Sequence, residues 1–456
     1  MERLTWKDDL GYGYASMADS ISYSFVGTFF MFFATTVAGV RPAVAGLMTA
    51  IGAIWNALYN PFMGILSDGL FTRRGRRRPF LRAMIIPLPL ALVLLFTNMP
   101  LPEPLKSLYY GMMLMIFWVC YTTFFVPYLA LGVDYTNNYD DRTVLRLWAS
   151  FFNMLGNIVC VAVPPNLVAY LTARGATPSL AWMAVAGVMG LVSGITILLT
   201  YLASKRKDPP CPELRRPKLP GIRQLFAAYL SILKLPPVRW LVLASICALV
   251  CYSMIMSDMV YFMTYNLRLP SVKLSALLLG RPIIGLPLLW IVGKVALAID
   301  KRQTLILFFL TGFAGMVILR LTPAGSLVWL LFYLLMLAFC TCVYWDLVPS
   351  IYFDICEYDK FTTGQDRESM IVSLQGLVEA AALGFGSFLL GTILDLAGFD
   401  GTHTVQPESA LTWVAHCTTV LPAFFLVLAS LAIWKYPISR DVHAEIVKKL
   451  AEREKR

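Results

Sequence analysis

The chain has 456 residues, of which 58% are hydrophobic and 14% are charged, and its mean hydropathy is +0.68. Soluble globular domains carry about 25% charged residues, so the composition excludes an ordinary soluble fold. The formal net charge of +11 raises the alternative of a nucleic-acid partner, but the basic residues lie in short segments beside long apolar ones. We therefore expect a membrane protein with no nucleic-acid partner.

Apolar segments of about 20 residues or more, long enough to cross a bilayer, recur along the whole chain. The first nine residues are too polar for the apolar region of a cleavable signal peptide. The sequence predicts an all-α membrane protein with twelve transmembrane helices in two pseudo-symmetric six-helix bundles. The predicted spans are 12–38, 43–67, 80–99, 107–133, 145–170, 180–204, 238–266, 272–297, 303–321, 326–351, 369–396 and 409–435.

The second span ends in Gly64-x-x-x-Asp68, and a cluster of arginines follows at once. Gly64 and Asp68 lie four residues apart and therefore on one helix face, where glycine lets a neighbouring helix approach and aspartate accepts hydrogen bonds. Basic residues are retained on the cytoplasmic side when helices insert. The pattern predicts an inner gate and not a substrate site. The arginines of this gate are Arg73, Arg74, Arg76, Arg77 and Arg78.

A related pattern occurs once in each half of the chain. A Val-Pro pair near the end of the fourth span is followed by Asp141-Arg142 at the start of the fifth, and a Val-Pro pair in the tenth is followed by Asp366-Arg367 before the eleventh. The repeat supports two parallel bundles with the solute bound between them near the bilayer midplane. It adds Asp141, Arg142, Asp366 and Arg367 to the predicted gate.

The chain is predicted to divide near its middle. We expect an N-terminal six-helix bundle over 1–204 and a C-terminal one over 238–436, followed by a basic cytoplasmic tail over 437–456. The cytoplasmic linker, 205–237, contains Pro209, Pro210 and Pro212 near its start, and these residues cannot continue a helix. Residues 222–235 form an amphipathic pattern that predicts a helix on the inner membrane surface.

The distribution of basic residues predicts the orientation. With both termini in the cytoplasm, the clusters at 73–78, 205–218 and 448–456 lie inside, where they can contact anionic lipid headgroups. We expect a multi-pass protein of the cell membrane with both termini cytoplasmic. The few basic residues then left in outer loops are Arg41, Lys106, Arg174, Arg268, Lys273 and Arg320.

Ionisable side chains at bilayer depth cost at least roughly 2.5–3.5 kcal/mol, so each needs a reason. Asp19, about eight residues into the first predicted span, is either an acceptor for substrate hydroxyls, a proton carrier, or a carboxylate paired to a neighbouring helix. Arg281 and Glu379 are predicted near the midplane, as a static ion pair or as a functional pair that links the substrate to a proton. Arg281 would also suit an anionic solute. Asp258 is a weaker candidate, nearer the outer face.

Amides and aromatic rings supply further candidate substrate contacts. Asn56 and Asn60 lie four residues apart, and Asn153 and Asn157 repeat that spacing in the fifth span. An amide offers a donor and an acceptor to a sugar hydroxyl, but it can equally hold two helices together. Aromatic rings can stack on a sugar, although packing is the default interpretation where aromatic residues make up 13% of the chain. The aromatic candidates are Tyr121, Tyr128 and Trp345, with Trp55 and Tyr344 as further possibilities.

The nine cysteines and three histidines are scattered without the spacing of a zinc site, so we expect no metal and no cofactor. A membrane-embedded enzyme would need clustered histidines, a Ser–His set or an acidic metal motif within the spans. A channel would need a filter motif. Neither kind of pattern is present in the sequence.

Several motifs resemble those of one transporter family. They include Leu10-Gly11-Tyr12-Gly13, Asn60-Pro61-Phe62-Met63-Gly64, Arg76-Arg77-Arg78-Pro79-Phe80, Pro127-Tyr128-Leu129-Ala130-Leu131 and Arg367-Glu368-Ser369. The chain is similar over nearly its whole length to the glycoside–pentoside–hexuronide:cation symporters of the major facilitator superfamily, which include the melibiose permease. The resemblance implies the major facilitator fold and alternating access.

The departures from that family concern the cation. Its sodium-coupled members place carboxylates where this chain has Asn56, Asn60 and Phe125, and a family lysine falls on about Ala380. The family's sugar-binding aspartate is matched by Asp19. The resemblance therefore implies transport of a sugar-like solute but not the usual Na⁺ site. A bare cation among amides would lack countercharge, whereas a proton needs only one titratable group, such as Asp19 or Glu379.

These patterns predict a secondary active transporter, not an enzyme, that moves a sugar or sugar-like polar solute by alternating access with proton symport. Two alternatives stay open: an uncoupled facilitator, and a lysophospholipid-type carrier of the same superfamily, for which Arg281 would bind the headgroup. The expected partners are the solute, a proton and membrane lipids, and we expect a monomer.

Overall fold

The structure is a computed structural model that describes residues 5–70, 72, 75–135, 139–206, 229–364, 367–401, 403 and 405–454. Apart from one isolated bridge between Thr72 and Gly75, the regular structure in these ranges is helical. Within these ranges, twelve helical segments are long and apolar enough to cross a membrane. The predicted number of spans and the all-α membrane fold are confirmed.

The chain separates into two compact units. The first comprises Met1–Leu219 with Leu269–Leu278 and Phe399–Gln406, and the second comprises Pro220–Arg268, Leu279–Gly398 and Pro407–Arg456. The helices of the first half of the chain are α1 (Trp6–Thr36), α2 (Pro42–Gly69), α3 (Arg78–Met84), α4 (Pro87–Leu95), α5 (Glu103–Tyr135), α6 (Tyr139–Ala173) and α7 (Pro178–Ala203), followed by a 3-10 turn at Ser204–Arg206.

The second half of the chain repeats this series. Its helices are α8 (Pro236–Tyr261), which continues as a π-helical turn over Phe262–Asn266, α9 (Ser271–Ala298), α10 (Lys301–Leu321), α11 (Leu327–Thr363), α12 (Glu368–Leu396), α13 (Glu408–Thr418), α14 (Val420–Trp434) and the tail helix α15 (Arg440–Glu454). The first eight residues of α9 belong to the first unit, so the boundaries of the units differ slightly from the sequence division.

The two units pack their helices in the same pairs. In the first unit, the first span packs against the fifth and sixth (α1 against α6 and α7), and the third packs against the sixth. In the second unit, the seventh span packs against the eleventh and twelfth (α8 against α12 and α14), and the ninth packs against the twelfth. The repeated pairing agrees with the repeat that the sequence motifs indicate.

Two spans that hydropathy predicts as single helices are broken. The third consists of α3 and α4, and Pro87 at the start of α4 has no amide hydrogen to continue the first helix. The twelfth breaks at Thr418–Thr419, four residues before Pro422. A proline ring clashes with the carbonyl four residues earlier, which here is that of Thr418, so the break follows from the sequence.

Several helices extend beyond their apolar cores. The first begins at Trp6 and not near residue 12, because a polar first turn with Asp8 and Asp9 caps it. This places Asp19 more than three turns into the helix. α11 has 37 residues and continues through Asp354 and Asp359 to Gly364, whose left-handed backbone (φ 69°) ends it.

Only 229–235 of the predicted amphipathic stretch lies within the described residues. Residues 229–233 are helical, and Tyr229 exchanges a hydrogen bond of 2.7 Å with Ser373 of α12. Ile232 is fully buried, whereas Leu230 is exposed. The described end of the linker is therefore hydrogen-bonded to the start of the eleventh span, and it also has an exposed apolar side.

Candidate functional site

Asp19 lies at the centre of a polar cluster in the first unit. Its Oδ1 accepts a hydrogen bond of 2.6 Å from the Tyr121 hydroxyl of α5, and its Oδ2 accepts one of 3.3 Å from Asn153 Nδ2 of α6. The side chain is only partly buried. Among the residues that the structure describes, Asp19 forms no salt bridge, so the structural pairing that the sequence left open is with neutral donors.

The network continues along α6 and returns to α1. Asn157 Nδ2 donates to Asn153 Oδ1 at 3.2 Å, and Ser24 of α1 donates to Asn157 Oδ1 at 2.9 Å. The four-residue spacing of the two asparagines places them on one helix face, as the sequence suggested. The amides therefore hold α1 and α6 together while they also orient the carboxylate of Asp19.

A close approach of α1 and α6 allows these bonds. A methyl group at Gly156 would lie 2.9 Å from the carbonyl oxygen of Met17 and 2.9 Å from Ser20 Cβ. Only glycine fits without moving the backbone, and it sits between Asn153 and Asn157 along the helix. The second unit repeats this contact at Gly386 of α12, where a methyl group would lie 2.7 Å from Ser253 Cβ of α8.

Aromatic rings adjoin the carboxylate. Tyr121 stacks on Phe125 with 5.3 Å between ring centroids and also contacts Tyr23 at 5.8 Å. Tyr23 lies one helical turn after Asp19 and is 43% exposed, so an apolar ring lies open beside the charged group. A polyhydroxylated ring combines an apolar face with hydroxyl edges, and these two features together suit such a ligand.

Tyr128 lies deeper in the same unit. It is buried, its hydroxyl exchanges a hydrogen bond of 2.6 Å with Ser16, and its ring stacks on Tyr12 at 4.7 Å. These contacts give it a packing role between α1 and α5. The substrate contact predicted for Tyr128 stays a prediction.

The asparagines of the second span occupy the positions where sodium-coupled relatives have carboxylates. Asn56 Oδ1 accepts a hydrogen bond of 2.5 Å from Thr122 of α5, so this amide joins two helices. Asn60 is partly buried and forms no hydrogen bond with any described residue. Phe125, at the third family position, is stacked on Tyr121. The structure bonds Asn56 to Thr122, the residue after Tyr121 on α5, and leaves Asn60 available.

Two residues near Asp19 were not predicted. Arg146 acts electrostatically on both Tyr12 and Asp19, and Tyr23 is described above. Arg146, Asn153 and Asn157 lie seven and four residues apart, and Tyr23 follows Asp19 by four. Both residues lie at helical spacing from a residue that was already a candidate: Tyr23 from Asp19, and Arg146 from Asn153. That spacing could have identified them.

In the second unit, Glu379 accepts a hydrogen bond of 2.8 Å from Gln375, one turn earlier on α12. Tyr344 of α11 lies within its electrostatic reach. Trp345 is 42% exposed and contacts Tyr252 edge-on at 6.1 Å. The side chain of Arg281 lies outside the described residues, so its predicted pairing with Glu379 stays a prediction.

The described arginines of the predicted inner gate join helix ends within the first unit. Arg77 is buried and donates to Ser67 Oγ at 2.7 Å, which ties it to the end of α2. Arg78 donates to the carbonyl of Tyr201 at 3.2 and 3.3 Å and lies 4.5 Å above its ring, which ties α3 to the end of α7. Arg76 is partly buried.

Of the other predicted gate residues, one differs from the expectation and the rest lie wholly or partly outside the described residues. Gly64 has no described atom within 4 Å of where a methyl group would lie, so the close helix approach expected there is not seen among the described residues. Asp68, Asp141 and Arg142 lie in helices, but their side chains are outside the described residues. Arg73, Arg74 and Asp366 also lie outside the described residues.

Arg367 forms the clearest ion pair of the predicted gate. Its guanidinium binds both oxygens of Asp359 at the end of α11, with Nε to Oδ2 at 2.9 Å, and it also donates to Ser231 at 2.9 Å. Hydrogen bonds to Asp359, whose side chain is only 1% exposed, raise the pKa of Arg367. The sequence paired Arg367 with its neighbour Asp366 in the gate and missed Asp359.

Comparison with known proteins agrees with this architecture. The family described as "MFS/sugar transport protein" matches residues 11–440. The "Uncharacterized symporter YnaJ" of Bacillus subtilis is 26% identical over 463 residues, covering 100% of this chain and 96% of the relative. The "Glucuronide carrier protein homolog" of Escherichia coli is 24% identical over 462 residues, with 100% and 97% covered. The "Isoprimeverose transporter" of Lactiplantibacillus pentosus is 22% identical over 444 residues, with 95% and 89% covered.

Solved structures share the fold at low identity. An inward-facing bacterial homologue of the human lysosomal transporter Spinster is 13% identical with a TM-score of 0.69, and the match covers 94% of this chain and 95% of that one. The nucleoside transporter NupG is 11% identical with a TM-score of 0.64, and 94% and 100% are covered. Because the family match spans nearly the whole chain, the resemblance seen in the sequence is confirmed. The chain belongs to the MFS/sugar transport protein family.

Proposed function

We propose that this chain is a secondary transporter of a sugar-like, polyhydroxylated solute and that Asp19 binds the solute hydroxyls. The observation that carries the proposal is the partly exposed Asp19 carboxylate, which neutral donors on α5 and α6 hold in place. A carboxylate offers about four acceptor positions, and two of them remain for hydroxyls of a ligand. Relatives named as glucuronide and isoprimeverose carriers agree with this class of solute.

The electrostatics at Asp19 favour a neutral or weakly charged sugar. Arg146 is the cation within electrostatic reach of the carboxylate, and it is exposed. A hydroxyl donating to a carboxylate gains a charge-assisted hydrogen bond, while the open ring of Tyr23 can cover the apolar face of the sugar. The lysophospholipid alternative relied on Arg281, and no contact of a described residue favours it.

We further propose that transport is coupled to a proton and not to Na⁺. Asn56 is already bonded to Thr122, and Phe125 is stacked on Tyr121, so the positions used by sodium-coupled relatives carry no formal charge. We also propose a cell-membrane location with both termini cytoplasmic and contacts between the basic clusters and anionic lipids, which the loop charges support, and function as a monomer. Light scattering of the purified protein would test whether it is a monomer. Cysteine labelling of a terminus in intact cells would test the orientation.

A direct test uses purified protein in lipid vesicles and a panel of radiolabelled glycosides, pentosides, hexuronides and lysophospholipids. We expect saturable binding of at least one sugar. Asp19→Asn should weaken that binding at least about ten-fold, since hydrogen bonds to a charged group contribute about 1.5–3 kcal/mol. Asp395→Asn, which changes a partly buried carboxylate of α12 in the second unit, is the matched control. Binding of lysophospholipids alone, or normal sugar binding by Asp19→Asn, would refute the assignment.

A further inference from the structure

Asp258 of α8 is a fully buried carboxylate of the second unit. The residue has no exposed surface, and its Oδ2 lies 2.5 Å from the hydroxyl oxygen of Thr418, at the end of α13. Its other oxygen, Oδ1, is buried without a hydrogen-bond partner among the described residues. Solvent does not reach this side chain, whereas Asp19 is partly exposed.

Among the described residues, no cation on the helices packed around Asp258 compensates a negative charge there. Thr418 is its hydrogen-bond partner, and Cys417 is the titratable side chain that it influences. α14 carries no titratable side chain, Glu379 of α12 influences Tyr344, and His416 of α13 is influenced by Arg320. The other titratable groups on the packed elements, none of which influences Asp258, include Asp395, Glu408, Tyr333 and Asp346.

The helix end beside Asp258 adds to the difficulty. Thr418 is the last residue of α13, and the carboxyl end of a helix carries partial negative charge. A buried ion without a partner is strongly unfavourable in a low dielectric and is normally neutralised. A metal cation needs several oxygen ligands and space, and the closed packing around Oδ1 provides no such space. A proton needs none.

Counting hydrogens supports a proton on Oδ2. The Thr418 hydroxyl has one hydrogen but two acceptors in reach: Asp258 Oδ2 at 2.5 Å and the Val414 carbonyl at 3.1 Å. If Thr418 donates to Val414, as hydroxyls in helices commonly do, the hydrogen between Thr418 and Asp258 belongs to the aspartic acid. The neutral acid then donates to Thr418, and both contacts are satisfied.

The partner of Asp258 sits at the break in the twelfth span. The helix stops at Thr418 because of Pro422, and α14 starts afresh at Val420. A rotation of α13 against α14 at this break would move the Thr418 hydroxyl away from Asp258. Transporters commonly build ion sites at such discontinuous helices, where a few backbone angles absorb a change of state.

We propose that Asp258 is a proton-binding site of the second unit, occupied in the conformation described here and emptied when the break between α13 and α14 rearranges. On release, the Oδ2–H bond breaks, the proton passes to entering water, and the carboxylate becomes charged. Asp258 would thereby carry the coupled proton, and that last step rests on the proposed proton symport.

The site itself is tested without any solute, by infrared difference spectroscopy of the purified protein on a pH change in H₂O and D₂O. We expect a carbonyl band of a protonated carboxylic acid that disappears on alkalinisation and is absent from Asp258→Asn. Asp395→Asn, the matched control, should keep it. Thr418→Val should shift the band, because its hydrogen-bond partner is removed, and this variant reports even if Asp258→Asn does not fold. The same band in every variant, or none in the parent, would overturn the site.

Its role in coupling is tested in vesicles with a sugar identified by the binding screen. Asp258→Asn mimics the protonated acid, so it should exchange internal for external sugar within about two-fold of the parent rate. A pH gradient should no longer drive accumulation, and the internal-to-external ratio should fall to about one. Accumulation by Asp258→Asn at the parent level would overturn the coupling role. Whether Asp258 binds a proton would then still be decided by the infrared experiment. Absence of any transported sugar would instead contradict the proposed function.

Discussion

The Tyr121 hydroxyl donates a 2.6 Å hydrogen bond to Asp19, and the two residues come from different helices of the first unit. The bond fixes one carboxylate oxygen while the ring of Tyr121 remains stacked on Phe125. The tyrosine thus sets both the direction of the acceptor and the position of the aromatic wall beside it. We therefore expect a change in this pair to reduce ligand affinity more than it reduces the stability of the protein.

We expect Tyr121→Phe to weaken sugar binding about three- to ten-fold, because one oriented hydrogen bond to a carboxylate is lost while the ring is kept. Binding titration on purified protein would measure this. Tyr110→Phe is the matched control, since Tyr110 is a buried tyrosine on the same helix whose hydroxyl donates to the Thr97 carbonyl at 2.8 Å. Equal effects of the two variants would mean that Tyr121 acts only through stability.

We expect neither uptake nor thermal stability to respond when Na⁺ is replaced by K⁺ or choline. Asn56 and Phe125 place an amide and a ring where a sodium ion would need charged oxygen ligands. In the double variant Asn56→Asp/Asn60→Asp, added Na⁺ should raise the unfolding temperature, because an ion that binds the native state stabilises it. A strict Na⁺ requirement in the parent would contradict the expectation.

We expect Gly156→Ala to destabilise the protein by about 1–3 kcal/mol, because the new methyl group would overlap the backbone oxygen of Met17. Sugar binding should weaken as well, since α1 and α6 must separate and Asn153 moves away from Asp19. Thermal unfolding in detergent and binding titration would measure the two effects. Gly187→Ala in α7 is the control: no atom of the described residues lies within 4 Å of its added methyl group, so stability should be kept or rise slightly. Similar losses from both changes would argue against close packing as the cause.

We expect Asp359→Asn to slow transport several-fold and to leave solute affinity within a few-fold of the parent. Asp359 binds Arg367 with both oxygens in a largely buried pair, so the change leaves the guanidinium without countercharge, at a cost of about 3–5 kcal/mol. Exchange rates and binding titration on the same preparation would separate the two effects. Loss of binding by a folded variant would show that the pair supports the solute site and not a gate.

Hydropathy was enough to predict twelve spans, because each span contains an apolar stretch of at least 18 residues, which is about the length that a transmembrane helix needs. Hydropathy could not locate the break at Thr418, because it measures side-chain polarity and not backbone conformation. Pro422, four residues later, was the residue in the sequence that indicated the break. Asp359 escaped prediction because the acidic residues near it look alike in sequence, and only the fold shows which one meets Arg367. The cluster at Asp19 was partly predictable from four-residue spacings, whereas its pairing with Tyr121 depends on how α1 and α5 pack.

The length of α11 has a mechanical consequence. At 1.5 Å per residue its 37 residues span about 55 Å, well beyond the roughly 30 Å hydrocarbon core of a bilayer. Near its end, Lys301 of α10 binds both oxygens of Asp354 at 2.8 Å, Arg367 binds Asp359, and His443 of α15 lies 2.7 Å from Glu357. Three elements thus contact the end of one long helix, so a displacement of that end must move all three or break these three polar contacts. A single spin label on α15 would consequently report the movement of the whole assembly.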